Sequence, residues 1–65
     1  MRERESELQM VQRHVREGEA TVARQRALIL RLSERFLPTG SAIAVLATLE
    51  HAQALHAAHL ERLQS

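Results

Sequence analysis

The sequence predicts an all-α protein, an antiparallel αα-hairpin of two long helices. Strong helix formers such as Ala, Leu, Arg, Glu and Gln dominate its 65 residues. Apolar residues recur at alternating steps of three and four, and one segment with proline and glycine, residues 37–41, interrupts the chain. We expect helix one over about residues 5–36, a turn over 37–41 and helix two over about 41–63. Together they form a single domain, 1–65.

Helix one carries a heptad seam, which is a row of residues on one face that can pack against a partner helix. Its members are Leu8, Val11, Val15, Gly18, Val22, Gln25, Ile29, Leu32 and Phe36. Gly18 is unusual there, because glycine in a helix interior costs about 1 kcal/mol relative to alanine. Pro38 has no backbone donor and disfavours helix in the residue before it, so helix one should end near Phe36 or Leu37.

Helix two repeats the same spacing after the turn. Gly40 permits a tight reversal, and Thr39 or Ser41 can cap the first amides of the helix. Its seam comprises Ala42, Leu46, Leu49, Gln53, His56, Leu60 and Leu63. This seam should pack against that of helix one.

Folding the two seams together about residues 38–40 predicts which residues face each other. Phe36 then lies opposite Ala42, Gly18 opposite Leu60, and Gln25 opposite Gln53. The meeting of two glutamines favours this register, and we expect a polar core layer of Gln25, Gln53 and His56. Such layers cost stability but specify register and partner number. Helix one, about two turns longer, should overhang with its charged N-terminal segment.

Apolar residues outside the seams predict an oligomer. A chain of this length buries only about 60% of the surface that its unfolded form exposes, and it has no Cys for disulfides. We expect two hairpins to form a homodimeric four-helix bundle. Its interface would comprise Ala20, Ala23, Ala27, Leu30, Ala44, Ala47, Leu55 and Ala58.

Composition excludes several function classes. Nine basic and eight acidic residues alternate in sign, as is typical of a solvated helix face. No run of about 18 apolar residues exists, and the N-terminus lacks the apolar core of a signal peptide. We therefore expect a cytoplasmic protein without a membrane partner. It has no Cys nucleophile and no phosphate-binding glycine loop, so catalysis is not expected.

Four histidines suggest a different function. His56 and His59 are three residues apart on one helix face, and the expected register brings Glu19 opposite His59. Two imidazoles and a carboxylate could hold a divalent metal, with His14 or His51 as further ligands. A metal- or small-ligand-binding four-helix bundle is therefore one alternative. No other cofactor is expected.

A second alternative is a nucleic-acid accessory protein. Its candidate residues are Arg13, Arg16, Arg24 and Arg31. Interspersed glutamates and the presence of a single aromatic residue, Phe36, oppose this reading, because single-strand binding usually combines basic grooves with stacking aromatics. Binding to nucleic acid is not the favoured function.

Two segments carry a resemblance. The stretch HVREGEATVARQRALILRLSER from His14 and the stretch LATLEHAQALHAAHLERL from Leu46 resemble a group of short bacterial helical-hairpin proteins. The group shares an H-V-x-x-G-E…A-R-Q-R core and an L-x-x-x-x-x-L-H segment. The resemblance implies no activity. It does imply a role beyond packing for His14, Gly18, Glu19, Arg24, Gln25, Glu50 and His56.

Taken together, these patterns favour a small dimeric protein-interaction or regulatory module. The expected working surfaces are its Ala-rich sides and the overhanging N-terminal segment. The sequence does not identify a partner other than a second copy.

Overall fold

A computed structural model describes residues 5–65 as two helices packed against each other. Helix α1 spans Glu7–Glu34 and helix α2 spans Gly40–Gln64. No strand occurs within the described residues. The all-helical hairpin is therefore confirmed, with helix ends one or two residues away from the predicted ones. The hairpin is elongated, with extents of 50 × 28 × 14 Å.

Helix α1 begins with a capping box that the sequence analysis did not use. The Ser6 side chain accepts a hydrogen bond from the backbone N–H of Gln9, at 3.1 Å. In return, Gln9 Oε1 accepts one from the backbone N–H of Ser6, at 2.9 Å. Two otherwise unpaired donors are thereby satisfied, so the helix starts at Glu7 rather than at Glu5.

Helix α1 ends in a Schellman motif. The backbone N–H of Leu37 bonds the carbonyl of Leu32 at 2.9 Å, and that of Phe36 bonds Ser33 at 3.0 Å. Phe36 adopts the left-handed conformation, with φ 57°. Its side chain is 96% exposed, so the predicted packing of Phe36 against Ala42 is wrong.

Helix α2 starts without a side-chain cap. Thr39 occupies the N-cap position, but its side chain makes no capping hydrogen bond. Ser41 lies inside the helix, because α2 already begins at Gly40. Neither predicted cap therefore forms.

The predicted seams do lie between the helices. Val11 and Val22 of α1 and Ala42 of α2 are buried. The half-buried residues include most other seam members, namely Val15, Gly18, Gln25, Ile29, Leu32, Leu46, Leu49, Gln53, His56 and Leu60. The apolar spacing thus predicted correctly which face of each helix packs inward.

The register, however, differs from the predicted one by about one heptad. The side chain of Gln53 lies against Gly18, and a Cβ atom on residue 18 would overlap Oε1 of Gln53. Nε2 of Gln53 donates a hydrogen bond to the carbonyl of Val15 at 2.9 Å. Gln25 instead donates to the carbonyl of Ala42, at 2.9 Å. Gly18 and Gln25 are seven residues apart, about 10 Å along the helix. The two glutamines therefore do not share a layer.

The reason for the shift lies in the turn. The prediction placed the reversal near residues 38–40, whereas the chain reverses at Phe36, about one helical turn earlier. Because both seams repeat every seven residues, sliding one helix by one heptad still places seam residues opposite seam residues. The slip also brings the end of α2 level with the start of α1, where His59 lies 3.1 Å from Glu7. The described part of α1 therefore does not overhang, and residues 1–4 lie outside the described residues.

Candidate functional site

Two of the open grooves between the helices are lined in part by Gln53. The first groove has a volume of about 230 Å³ and is lined by His14, Glu17, Gly18, Thr21, Leu49, Ala52, Gln53 and His56. The second groove has a volume of about 470 Å³ and is lined by Glu19, Val22, Arg26, Glu50, Gln53, Ala54 and Ala57. Both lie beside the Gly18–Gln53 contact, so the heptad slip determines which side chains each contains.

Two imidazoles meet in the first groove. The ring centroids of His14 and His56 are 5.3 Å apart, and the rings are tilted by 40°. Both residues are half-buried, and they come from different helices. Glu17, one turn after His14, adds a carboxylate to the same groove. The expected polar layer placed His56 with the two glutamines, whereas its ring packs against His14.

The metal set expected from the sequence is not assembled. His56 contacts His14, His59 contacts Glu7, and Glu19 lies in the second groove. In the part of the chain that the structure describes, no three His or carboxylate residues form a ready-made metal site. The prediction that Glu19, His56 and His59 meet is wrong because it depended on the register that the turn shifts.

The second groove is spanned by an ion pair. Arg26 Nη2 donates to Glu50 Oε2 at 2.8 Å, linking α1 to α2. Both side chains are about half exposed, and such pairs contribute about 0–1 kcal/mol. Of the residues that the resemblance singles out, Glu19 and Glu50 lie here, while Arg24 donates to Thr21 Oγ1 at 3.1 Å.

The arginines considered for nucleic acid lie on α1, and Arg13 is already engaged. It donates to both Glu5 oxygens, at 3.0 and 2.9 Å, and to Glu17 Oε1 at 2.9 Å. The hydrogen bond from Arg13 lowers the pKa of Glu5, and the bonds to Glu5 and Glu17 raise the pKa of Arg13. Phosphate contact by Arg13 would have to displace two carboxylates.

Among residues 5–65, the exposed large apolar side chains fall into a larger group at the end of the hairpin that carries the turn and a smaller group toward the other end, namely Leu8, Met10, Leu55 and Leu63. We name the larger group the apolar tip, and it comprises Leu28, Leu30, Phe36, Leu37, Ile43 and Val45. Leu30 is 61% exposed, Ile43 51% and Val45 48%. Of the tip residues, the sequence analysis placed only Leu30 in the expected interface, and it assigned Phe36 to the seam. The usable signal was the stretch Gly40–Leu49, which contains no charged residue.

The eight predicted interface residues are all exposed, but they do not form one surface. Ala20 is two residues from the buried Val22, and Ala58 is two residues from the seam residue His56. Two residues correspond to about 200° of rotation, so each points away from the other helix. Leu30 belongs to the apolar tip, and Ala44 and Ala47 lie near it. The others lie farther from the tip or on its margin, namely Ala20, Ala23, Ala27, Leu55 and Ala58.

Comparison with known proteins adds no further constraint. No family model matches the chain, and neither does a curated protein or a solved structure. The resemblance to short bacterial hairpin proteins therefore stays a prediction. Over residues 5–65, neither helix contains an apolar stretch long enough to cross a membrane.

Proposed function

We propose that the chain is a small interaction module that pairs with a second copy of itself through the apolar tip. The observation that carries this proposal is the size of the core: among residues 5–65, only Val11, Val22 and Ala42 are buried. Burying a valine side chain contributes about 1.5–3 kcal/mol, whereas ordering each residue costs about 1–2 kcal/mol. A lone hairpin therefore has little stability of its own.

The accessible surface supports a second copy as the partner. The chain exposes 5337 Å², whereas a folded monomer of 7.4 kDa is expected to expose about 4,200 Å². The excess is on the order of 1,100 Å², and a standard interface removes about 800 Å² from each partner. One interface of standard size with a second copy would therefore bring the exposed surface close to the value expected for a folded protein of this mass.

Helix α2 favours the tip as the contact surface. Ile43 and Val45 are two residues apart, so they lie on opposite sides of the helix, and both are about half exposed. Leu28 and Leu30 are arranged in the same way on α1. A helix that is apolar on all sides is typically surrounded by other elements, so the second copy would have to enclose the tip rather than cover one side of it. Outside the tip, the outer face of α1 carries charged residues, which disfavours its pairing with the same face of a second copy.

Thermal unfolding at different chain concentrations tests the proposal. If the folded unit is a dimer, mass action raises Tm as the chain is concentrated, because association stabilises only the folded state. We expect a rise of several degrees over a hundredfold range, measured by circular dichroism. A Tm that does not depend on concentration would show that the hairpin folds alone and would remove the proposal.

Substituting Phe36 should separate turn strain from association. We expect Phe36→Gly to stabilise the hairpin by about 1 kcal/mol relative to Phe36→Ala, because only glycine adopts the left-handed conformation without cost. Both variants should weaken the dimer by at least about tenfold in Kd, since burial of phenylalanine contributes about 1.5–3 kcal/mol. Urea unfolding and sedimentation equilibrium measure the two effects. An unchanged Kd in both variants would contradict a role for the tip.

A further inference from the structure

We propose that His14 and His56 form a zinc-binding pair in the first groove. The site requires only contacts within one hairpin, so it does not rest on the proposed dimer. His14 also lies sixteen residues from Leu30, about 24 Å along α1 from the apolar tip.

The separation of the rings supports the pair. Two imidazoles on one tetrahedral zinc ion, with Zn–N bonds near 2.0–2.1 Å, have ring centroids about 5 Å apart. The observed centroid distance of His14 and His56 is 5.3 Å. Their tilt of 40° also differs from a flat stack. The two helices therefore already hold the rings at the centroid spacing that a shared zinc ion requires.

The surroundings suit a divalent cation that prefers nitrogen ligands. Imidazole is a good ligand for zinc, copper and nickel, whereas magnesium prefers oxygen ligands. Glu17 lines the same groove, but its carboxylate is already paired with Arg13 at 2.9 Å, so the proposed ligands are the two imidazoles alone. The groove is open to solvent, so water can occupy the coordination positions that the two imidazoles leave free.

The other two histidines provide matched controls. His51 is exposed and does not line this groove, and His59 contacts Glu7 at 3.1 Å. Comparison with these two residues therefore distinguishes zinc binding at His14 and His56 from nonspecific binding to any surface histidine.

The test is thermal unfolding of the full chain with zinc, with magnesium as the comparison ion. At zinc concentrations about ten times Kd we expect Tm to rise by roughly 6–10 °C, and no rise with magnesium. His51→Gln and His59→Gln should keep the zinc response, whereas His14→Gln and His56→Gln should lose it. No zinc response in the unsubstituted chain, or a full response in His14→Gln or His56→Gln, would overturn the proposal.

A second measurement needs no substitution, so it tests the proposal even if the variants fold poorly. Nitrogen NMR of the unsubstituted chain should show the ring signals of His14 and His56 shifting with one equivalent of zinc. Equal shifts in all four histidines, or shifts confined to His51 and His59, would overturn the proposal.

Discussion

Gly18→Val is expected to lower the free energy of unfolding by about 1–3 kcal/mol. A Cβ atom at residue 18 overlaps Oε1 of Gln53, whose amide nitrogen bonds the carbonyl of Val15. The Gln53 amide is the end of a flexible side chain and can move away from the new side chain, but it then loses this hydrogen bond and leaves a half-buried amide unpaired, which costs about 1–3 kcal/mol. The higher helix propensity of valine offsets only a few tenths of a kcal/mol. Urea unfolding at one fixed chain concentration measures the change.

Two further variants make this prediction specific. Ala20→Val introduces the same side chain on the exposed face of α1, so it should change the free energy of unfolding by about 0.5 kcal/mol or less. In a Gln53→Ala background the cost of Gly18→Val should fall, because the overlapping atoms are gone. Equal costs with and without Gln53 would show that the two residues do not touch and that the register is different.

Leu30→Glu is expected to convert the dimer to a monomer and to lower Tm sharply. A carboxylate at the apolar tip would be buried without a partner in the dimer, which costs several kcal/mol. Leu55→Glu is the matched control, since Leu55 is 58% exposed and Leu30 is 61% exposed. The two substitutions should cost a lone hairpin about the same. Only the change at the tip should alter the mass measured by light scattering.

The outcome that would contradict this prediction is equally specific. If Leu55→Glu dissociates the protein as strongly as Leu30→Glu, the interface is not confined to the tip. If neither variant changes the mass, the contact surface lies elsewhere, for example on the outer faces that carry Ala20 and Ala58.

The sequence was sufficient to predict both helices and the inward face of each. Steps of three and four place Val11, Val22 and Ala42 on the packed side, whatever the partner. The register was not predictable in this way, because slipping one seam by a heptad leaves seam residues still facing seam residues. The predicted register brought Gln25 opposite Gln53, and this coincidence favoured the wrong register.

What decides the register is the conformation of one turn residue. Phe36 adopts a left-handed conformation that bulky side chains rarely adopt, so neither propensity nor periodicity indicates a reversal there. The errors at the site follow from that residue. Glu19 and His59 were paired in the wrong register, whereas a shift of one heptad would have placed His14 beside His56. The capping box at Ser6 and Gln9, by contrast, was visible in the sequence.

The oligomeric state of the unsubstituted chain tests the central claim most directly. Light scattering on a sizing column, at chain concentrations well above the Kd, is predicted to give twice the chain mass of 7.4 kDa. A folded, helical species that retains the mass of one chain at every concentration would contradict the account.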